Sequence, residues 1–205
     1  MCGFDYSDTE AAHLEEIYSG FEGTMSFEKE KSKEYRLMMI VSEICKMVED
    51  GRKGRHAQRE NFGKAIDCSY TVDDYIRAYK AFVADTMEDD MANVCIRIFD
   101  MAGEFNLRLY PTEAVGDYND FSKDFAFRCY NLLTYIVDRD IIDDEEDLSW
   151  HLSELIAALF QWAEHDSFSP NWYIEHRMKY NELRPCHTGA LTNKHMDKEK
   201  SGTNL

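Results

Sequence analysis

The sequence predicts an all-α protein, and two amphipathic segments and the composition carry that reading. Only three prolines and ten glycines interrupt 205 residues rich in helix-favouring Glu, Lys, Met, Leu and Ala. In Leu37–Gly54 the apolar Leu37, Ile40, Val41, Ile44 and Val48 recur at helical spacing. Met91, Val94, Cys95, Ile98 and Ala102 do the same in Glu88–Gly103. With 44% apolar and 13% aromatic residues, the chain has material for a sizeable core.

Taken in order, Ser7-Asp8-Thr9-Glu10 fits a capping box and predicts a first helix over Asp8–Ser19, broken by Gly20 and Gly23. The charged stretch Phe27–Lys33 leads into the second helix, which runs to about Asp50. Gly51–Tyr70 reads as a basic connection, since Arg52, Lys53, Arg55, His56, Arg59 and Lys64 crowd together in an otherwise acidic chain. Thr71 with Asp74 starts the next helix, and Val72–Phe105 is helical with a break near Asp85–Glu88. Gly103 and Asn106 end it, and Leu107–Asp120 is a loop.

Phe121–Val137 and Leu148–His165 then form a helix pair joined by the acidic turn Asp138–Asp147. Phe125, Cys129, Leu132, Leu133 and Ile136 line one apolar side; Leu152, Leu155, Ile156, Leu159 and Phe160 line the other. Ser169 as cap and Pro170 at the first position open a closing helix to Arg184-Pro185. The expected organisation is one domain over 1–185, with a core at about 27–105 and a helical elaboration over 120–185. The remainder, 186–205, is polar, lacks periodicity and reads as a flexible tail.

Each of the two amphipathic helices also carries a polar row. Glu43, Lys46 and Asp50 share one face of the first; Asp90, Asn93, Arg97 and Asp100 share one face of the second. Each row can converge on a common point.

These residues resemble the MazG-type all-α nucleoside triphosphate pyrophosphohydrolases. Ser42-Glu43 followed by Arg52-Lys53-Gly54, the run Met91-Ala92-Asn93-Val94-Cys95-Ile96-Arg97-Ile98-Phe99-Asp100-Met101-Ala102-Gly103, and Arg177-Met178-Lys179-Tyr180-Asn181-Glu182-Leu183-Arg184-Pro185 stand in the family's order. The three fragments cover under half of the chain. The resemblance implies a MazG-like four-helix bundle core, elaborated by the later helix pair and closed by the last helix. It also implies a homodimer or higher homo-oligomer.

In such a family member, carboxylates from two helices hold Mg²⁺, with Mn²⁺ an alternative, and a nucleoside triphosphate yields a monophosphate and pyrophosphate. The resemblance places the four catalytic positions on Glu43, Lys46, Asp90 and Asn93, with Glu43, Asp90 and Asn93 as remaining metal ligands. Substrate-binding residues fall on Arg52, Lys53, Arg97, Lys179, Asn181 and Arg184. Lys46 and Asn93 replace family acids, so the implied activity is reduced or lost, and metal binding is weak or absent. The alternative is a non-catalytic nucleotide-binding or structural protein on the same fold.

Read without the resemblance, Lys46 forms an intrahelical salt-bridge row with Glu43 and Asp50, worth about 0.2–0.5 kcal/mol per pair. Arg97 forms a polar network with Asp90 or Asp100. An intermediate reading puts the Lys46 ammonium in the place of the metal, clamped by Glu43 and Asp90.

The net charge of −17 opposes nonspecific nucleic-acid binding, which depends on neutralising phosphates with Lys and Arg. No apolar run reaches membrane-spanning length, and Met1–Gly20 has no signal-peptide core. Six scattered cysteines without a C-x-x-C pair read as reduced thiols of a cytoplasmic protein.

Overall fold

A computed structural model describes residues 32–67, 71–110, 121–137 and 139–184. The expected helix Asp8–Ser19, most of the loop before Asp120 and the tail from 186 lie outside the described residues. Within them the protein is all-helical.

Helix α1 spans Lys33–Arg52; the Ser32 side chain caps it by accepting the Tyr35 N–H at 3.3 Å. Its buried line is Leu37, Ile40, Ile44 and Met47, with Val41 and Val48 only partly buried. The apolar stripe is therefore turned slightly from the expected one, and Met47 takes a place given to Val48.

The basic connection holds a helix of its own, α2, over Arg59–Asp67. This corrects the expectation of a plain connection over Gly51–Tyr70. One apolar anchor explains it: Phe62 is fully buried and meets Tyr75, Tyr79, Trp172 and His176 edge-on at 5.4–6.0 Å. A single buried ring leaves no periodic signal.

Helix α3 spans Val72–Phe82, capped by Thr71 through the Asp74 N–H at 3.2 Å. The expected break follows, and Asp85 takes a left-handed backbone there, with φ 57°. Thr86 restarts the chain as the cap of α4, Met87–Phe105, which ends on left-handed Asn106.

Helix α5 covers Phe125–Thr134, shorter than Phe121–Val137, because the Asp124 carboxylate caps the Phe127 N–H at 2.8 Å. A 3₁₀ turn at Arg139–Ile142 precedes α6, Glu145–His165, whose start is set by Asp144 accepting from Glu146 and Asp147. Helix α7 spans Pro170–Leu183. Pro170 holds the first-turn position as expected, but Ser169 makes no side-chain cap bond.

The central element is α4, with Met91, Val94, Cys95, Ile98 and Met101 almost wholly inaccessible. Helix α1 lies along it most extensively, and α6 and α7 pack on its other sides. Helix α7 also touches α3, and α5 rests on α1. Full burial of aliphatic and aromatic side chains such as these contributes about 1.5–3 kcal/mol each relative to exposure. Among the described residues no helix is long and apolar enough to cross a membrane.

Candidate functional site: the polar face between α1 and α4

The longest helix contact in the fold is not wholly apolar. Where α1 crosses the first half of α4, Glu43 and Asp50 from one side and Glu88, Asp89, Asp90 and Asn93 from the other are buried. Helical spacing explains the selection: Glu43 and Asp50 lie two turns apart on one side of α1, and Asp90 and Asn93 lie one turn apart on α4.

Glu43 is bound by two cations. The Lys46 ammonium, itself 58% exposed, donates to Glu43 Oε2 at 2.8 Å, and a guanidinium nitrogen of Arg97 stands 3.6 Å from Oε1. The expected Glu43–Lys46 pair is present, whereas Asp50 is held instead by Arg55 at 3.0 Å. Of Glu43 and Asp90, Lys46 pairs with Glu43, so it does not clamp both helices. Arg97 joins them in its place, through Glu43 rather than Asp90. Arg97 also lies near Asp100 and offsets part of the burial that raises that carboxyl.

Asp90 has a different environment. Burial foremost, then the charges of Asp89 and Asp50, a hydrogen bond with the Asp50 side chain and the charge of Glu43 push its carboxyl up to about 8. Two carboxyl groups bond to each other only when one carries the proton. Asp50 accepts from Arg55, and Asp90, its carboxyl raised to about 8, carries a proton at neutral pH. Asp90 Oδ2 is buried with no hydrogen-bond partner.

Asp89 points elsewhere, toward α3 and α7. It is fully buried, accepts from the Tyr79 hydroxyl and the Asp85 N–H, and pairs with Arg177 at 2.7 Å. Burial raises its carboxyl, while Arg177 and the hydrogen bonds work against that. Arg177 also feels the charge of Glu43, which places this guanidinium at the edge of the same acidic face. The Glu88 carboxylate closes the top by accepting from the Ala57 N–H at 3.1 Å and meeting His56 Nδ1 at 2.8 Å.

The expected substrate-binding residues divide sharply. Arg97 reaches the acidic face. Arg52 and Lys53 do not: both pair with exposed Glu49, at 3.0 and 2.7 Å. Lys179 lies over the Tyr75 ring at 4.5 Å, and Arg184 bonds Asn181 at 2.9 Å and lies over Tyr180 at 5.0 Å. The tail cation that turns inward is Arg177. Asp50, Arg55, Asp89 and Arg177 are the members that sequence reasoning did not place in a site. Asp50 was legible as the third member of the α1 polar row, and Arg177 as the first residue of the tail motif.

Mg²⁺ needs oxygen donors free to turn toward it. Here Glu43 is held by Lys46 and Arg97, Asp50 by Arg55, and Asp90 keeps its proton. Among the described residues, no three His, Cys, Asp or Glu side chains are grouped so as to hold a metal ion. The orphaned Asp90 Oδ2 suits a cation, but alone it does not make a site. As arranged, these residues do not fit Mg²⁺ or Mn²⁺.

No protein-family model matches this chain, and neither curated proteins nor solved structures yield a significant match.

Proposed function

We propose that the chain is a MazG-like nucleotide pyrophosphohydrolase relative in which conversion of nucleoside triphosphates to monophosphates and pyrophosphate is lost or much reduced. The observation that carries this reading is the double neutralisation of Glu43 by Lys46 and Arg97. The four helices between Lys33 and Phe105 and the two facing polar rows supply the scaffold. A cation fixed in the chain occupies the charge position that a divalent ion needs, and Asp90 holds a proton where a ligand needs a lone pair. The protein then serves as a nucleotide-binding or structural scaffold rather than a catalyst.

The test is incubation of purified protein with Mg²⁺ or Mn²⁺ and a panel of nucleoside triphosphates, followed by analysis for monophosphate and pyrophosphate. The expected result is no product above that of Glu43→Gln. Product that disappears in Glu43→Gln contradicts the reading and favours an active, metal-dependent hydrolase. One observation speaks for that second reading: the buried, unpartnered Asp90 Oδ2.

A further inference from the structure

Aromatic side chains seat the closing helix α7 on its neighbours, and one titratable ring stands among them. His176 of α7 is half-buried, with the Trp172 ring stacked on it at 4.0 Å and the Tyr75 ring of α3 nearly parallel at 6.4 Å. Phe62 of α2 meets it edge-on at 5.4 Å. Its Nδ1 lies 2.8 Å from the Trp172 carbonyl oxygen, and the Tyr75 hydroxyl donates to the His176 carbonyl at 3.2 Å. A carbonyl only accepts, so Nδ1 carries the hydrogen of the neutral ring, and Nε2 is the atom that takes up a further proton.

We propose that His176 is a proton-operated latch for α7: as a neutral ring it seats the helix on α2 and α3, and as an imidazolium it loosens that seat. The surroundings disfavour the extra charge. Arg59 of α2 lies over Trp172 at 4.8 Å and Lys179 of α7 lies over Tyr75 at 4.5 Å, so each ring that could stabilise an imidazolium already faces a cation. Exposed Glu175 and the Trp172 carbonyl favour the proton, whereas Tyr75, its hydroxyl pushed up to about 12 by burial, brings no charge near neutral pH. Burial foremost, with Lys179 and Arg59 behind it, outweighs them and holds the imidazole below its ordinary 6.5.

A proton that binds the undocked helix more readily than the docked one opposes docking. The contribution of the neutral ring is complete above about pH 6.5 and is lost as pH falls through the lower value of the docked ring. That sense is opposite to the one Asp89 and Asp90 impart, whose raised carboxyls favour the fold in acid. Acid therefore weakens the α7 seat selectively while it favours the α1–α4 contact. The residue after His176 is Arg177, which pairs with Asp89 of α4, so the latch stands beside the ion pair that pins α7 to α4. It is independent of whether the protein hydrolyses nucleotides.

The test is amide hydrogen exchange at about pH 7.5 and about pH 5, corrected for intrinsic rates, in the full chain as wild type, His176→Phe and Lys179→Gln. In wild type, α7 should lose about threefold or more of its protection in acid relative to α4. His176→Phe keeps a ring in the stack without the titration and should abolish that loss. Lys179→Gln leaves His176 in place and removes one opposing cation, so it should reduce the loss. Followed by proton NMR, the His176 ring should titrate below 6.5 in wild type and closer to 6.5 in Lys179→Gln. Wild-type α7 protection that does not fall relative to α4 overturns the latch. So does a fall that persists undiminished in His176→Phe or, where that variant does not fold, in Lys179→Gln. A wild-type His176 ring that titrates at or above 6.5 overturns it as well.

Discussion

Asp50 of α1 and Asp90 of α4 face each other across the most extensive helix contact in the fold, and Asp50, with burial and Asp89 ahead of it, raises the Asp90 carboxyl. Arg55 donates to Asp50 at 3.0 Å. Protonation of Asp90 therefore removes a like-charge repulsion between the two helices.

Stability should accordingly depend on pH in one direction. An unfolded aspartate ionises near 3.9, while Asp90 in the fold is raised to about 8. The stability from its protonation is present in full below about pH 4 and is lost progressively as pH rises toward 8. The raised Asp89 carboxyl acts in the same sense. Asp90→Asn keeps the shape and a donor for Asp50 without the titration. At pH 8 it should melt roughly 3 °C or more above wild type, the shift that about 1 kcal/mol gives in a domain of this size. At pH 5 the gap should be several-fold smaller. Melting curves from pH 5 to 9 decide it; Asp90→Asn melting below wild type at both ends removes the shared proton from the account.

The Asp89–Arg177 pair pins the closing helix to α4 with both groups largely buried. Arg177→Met leaves a buried carboxylate without its cation, at a cost of about 3–5 kcal/mol. Asp89→Asn added to Arg177→Met should recover much of that, since no unpaired charge remains. Denaturant titration of the two single variants and the double variant measures the coupling. Simple additivity of the single costs contradicts a direct pair.

Gly51 marks where α5 meets α1. A Cβ at Gly51 would lie 2.3 Å from the Phe125 ring tip. Overpacking of this kind costs about 1–3 kcal/mol, against about 1 kcal/mol gained by replacing a helical glycine with alanine. Gly51→Ala should therefore lower the melting temperature of wild type. With Phe125→Leu already present the steric term goes, and the same substitution should raise it. Equal effects in both backgrounds would show that α5 does not seat there.

Much of this architecture was legible in the residues. The polar rows of α1 and α4 do face each other, with Glu43, Asp50, Asp90 and Asn93 all buried; Thr71 caps its helix as expected, and the expected break near Asp85–Glu88 holds the Thr86 cap. What was not legible depends on tertiary placement. Helix α2 has Phe62 as its one buried residue, a ring whose partners come from α3 and α7. Asp89 looked like one more acid in a run, because only the seating of α7 brings Arg177 to it. In that helix Tyr173, Ile174, Arg177 and Tyr180 turn inward, which leaves Lys179, Asn181 and Arg184 off the acidic face. The basic connection after Asp50 placed Arg52 and Lys53 among the expected substrate-binding residues, yet Glu49 binds both, while Asp50 takes Arg55 and Glu88 takes His56. Charge composition gives their sign and not their partners.

The central claim is that the chain's own cations, with Lys46 foremost, stand where a divalent ion would be held. Its most direct measurement is a melting curve of the Lys46→Glu, Asn93→Asp double variant, in chelator and then in millimolar Mg²⁺. The exchange removes one cation from Glu43 and adds a carboxylate one turn from Glu43 and another one turn from Asp90. In chelator the crowded acids should repel one another and lower the melting temperature below wild type. Mg²⁺ should then restore it in a saturable way, as a ligand that binds only the folded state does, while wild type stays put. A double variant that melts with wild type in chelator and ignores Mg²⁺ would mean that these positions do not converge on one site.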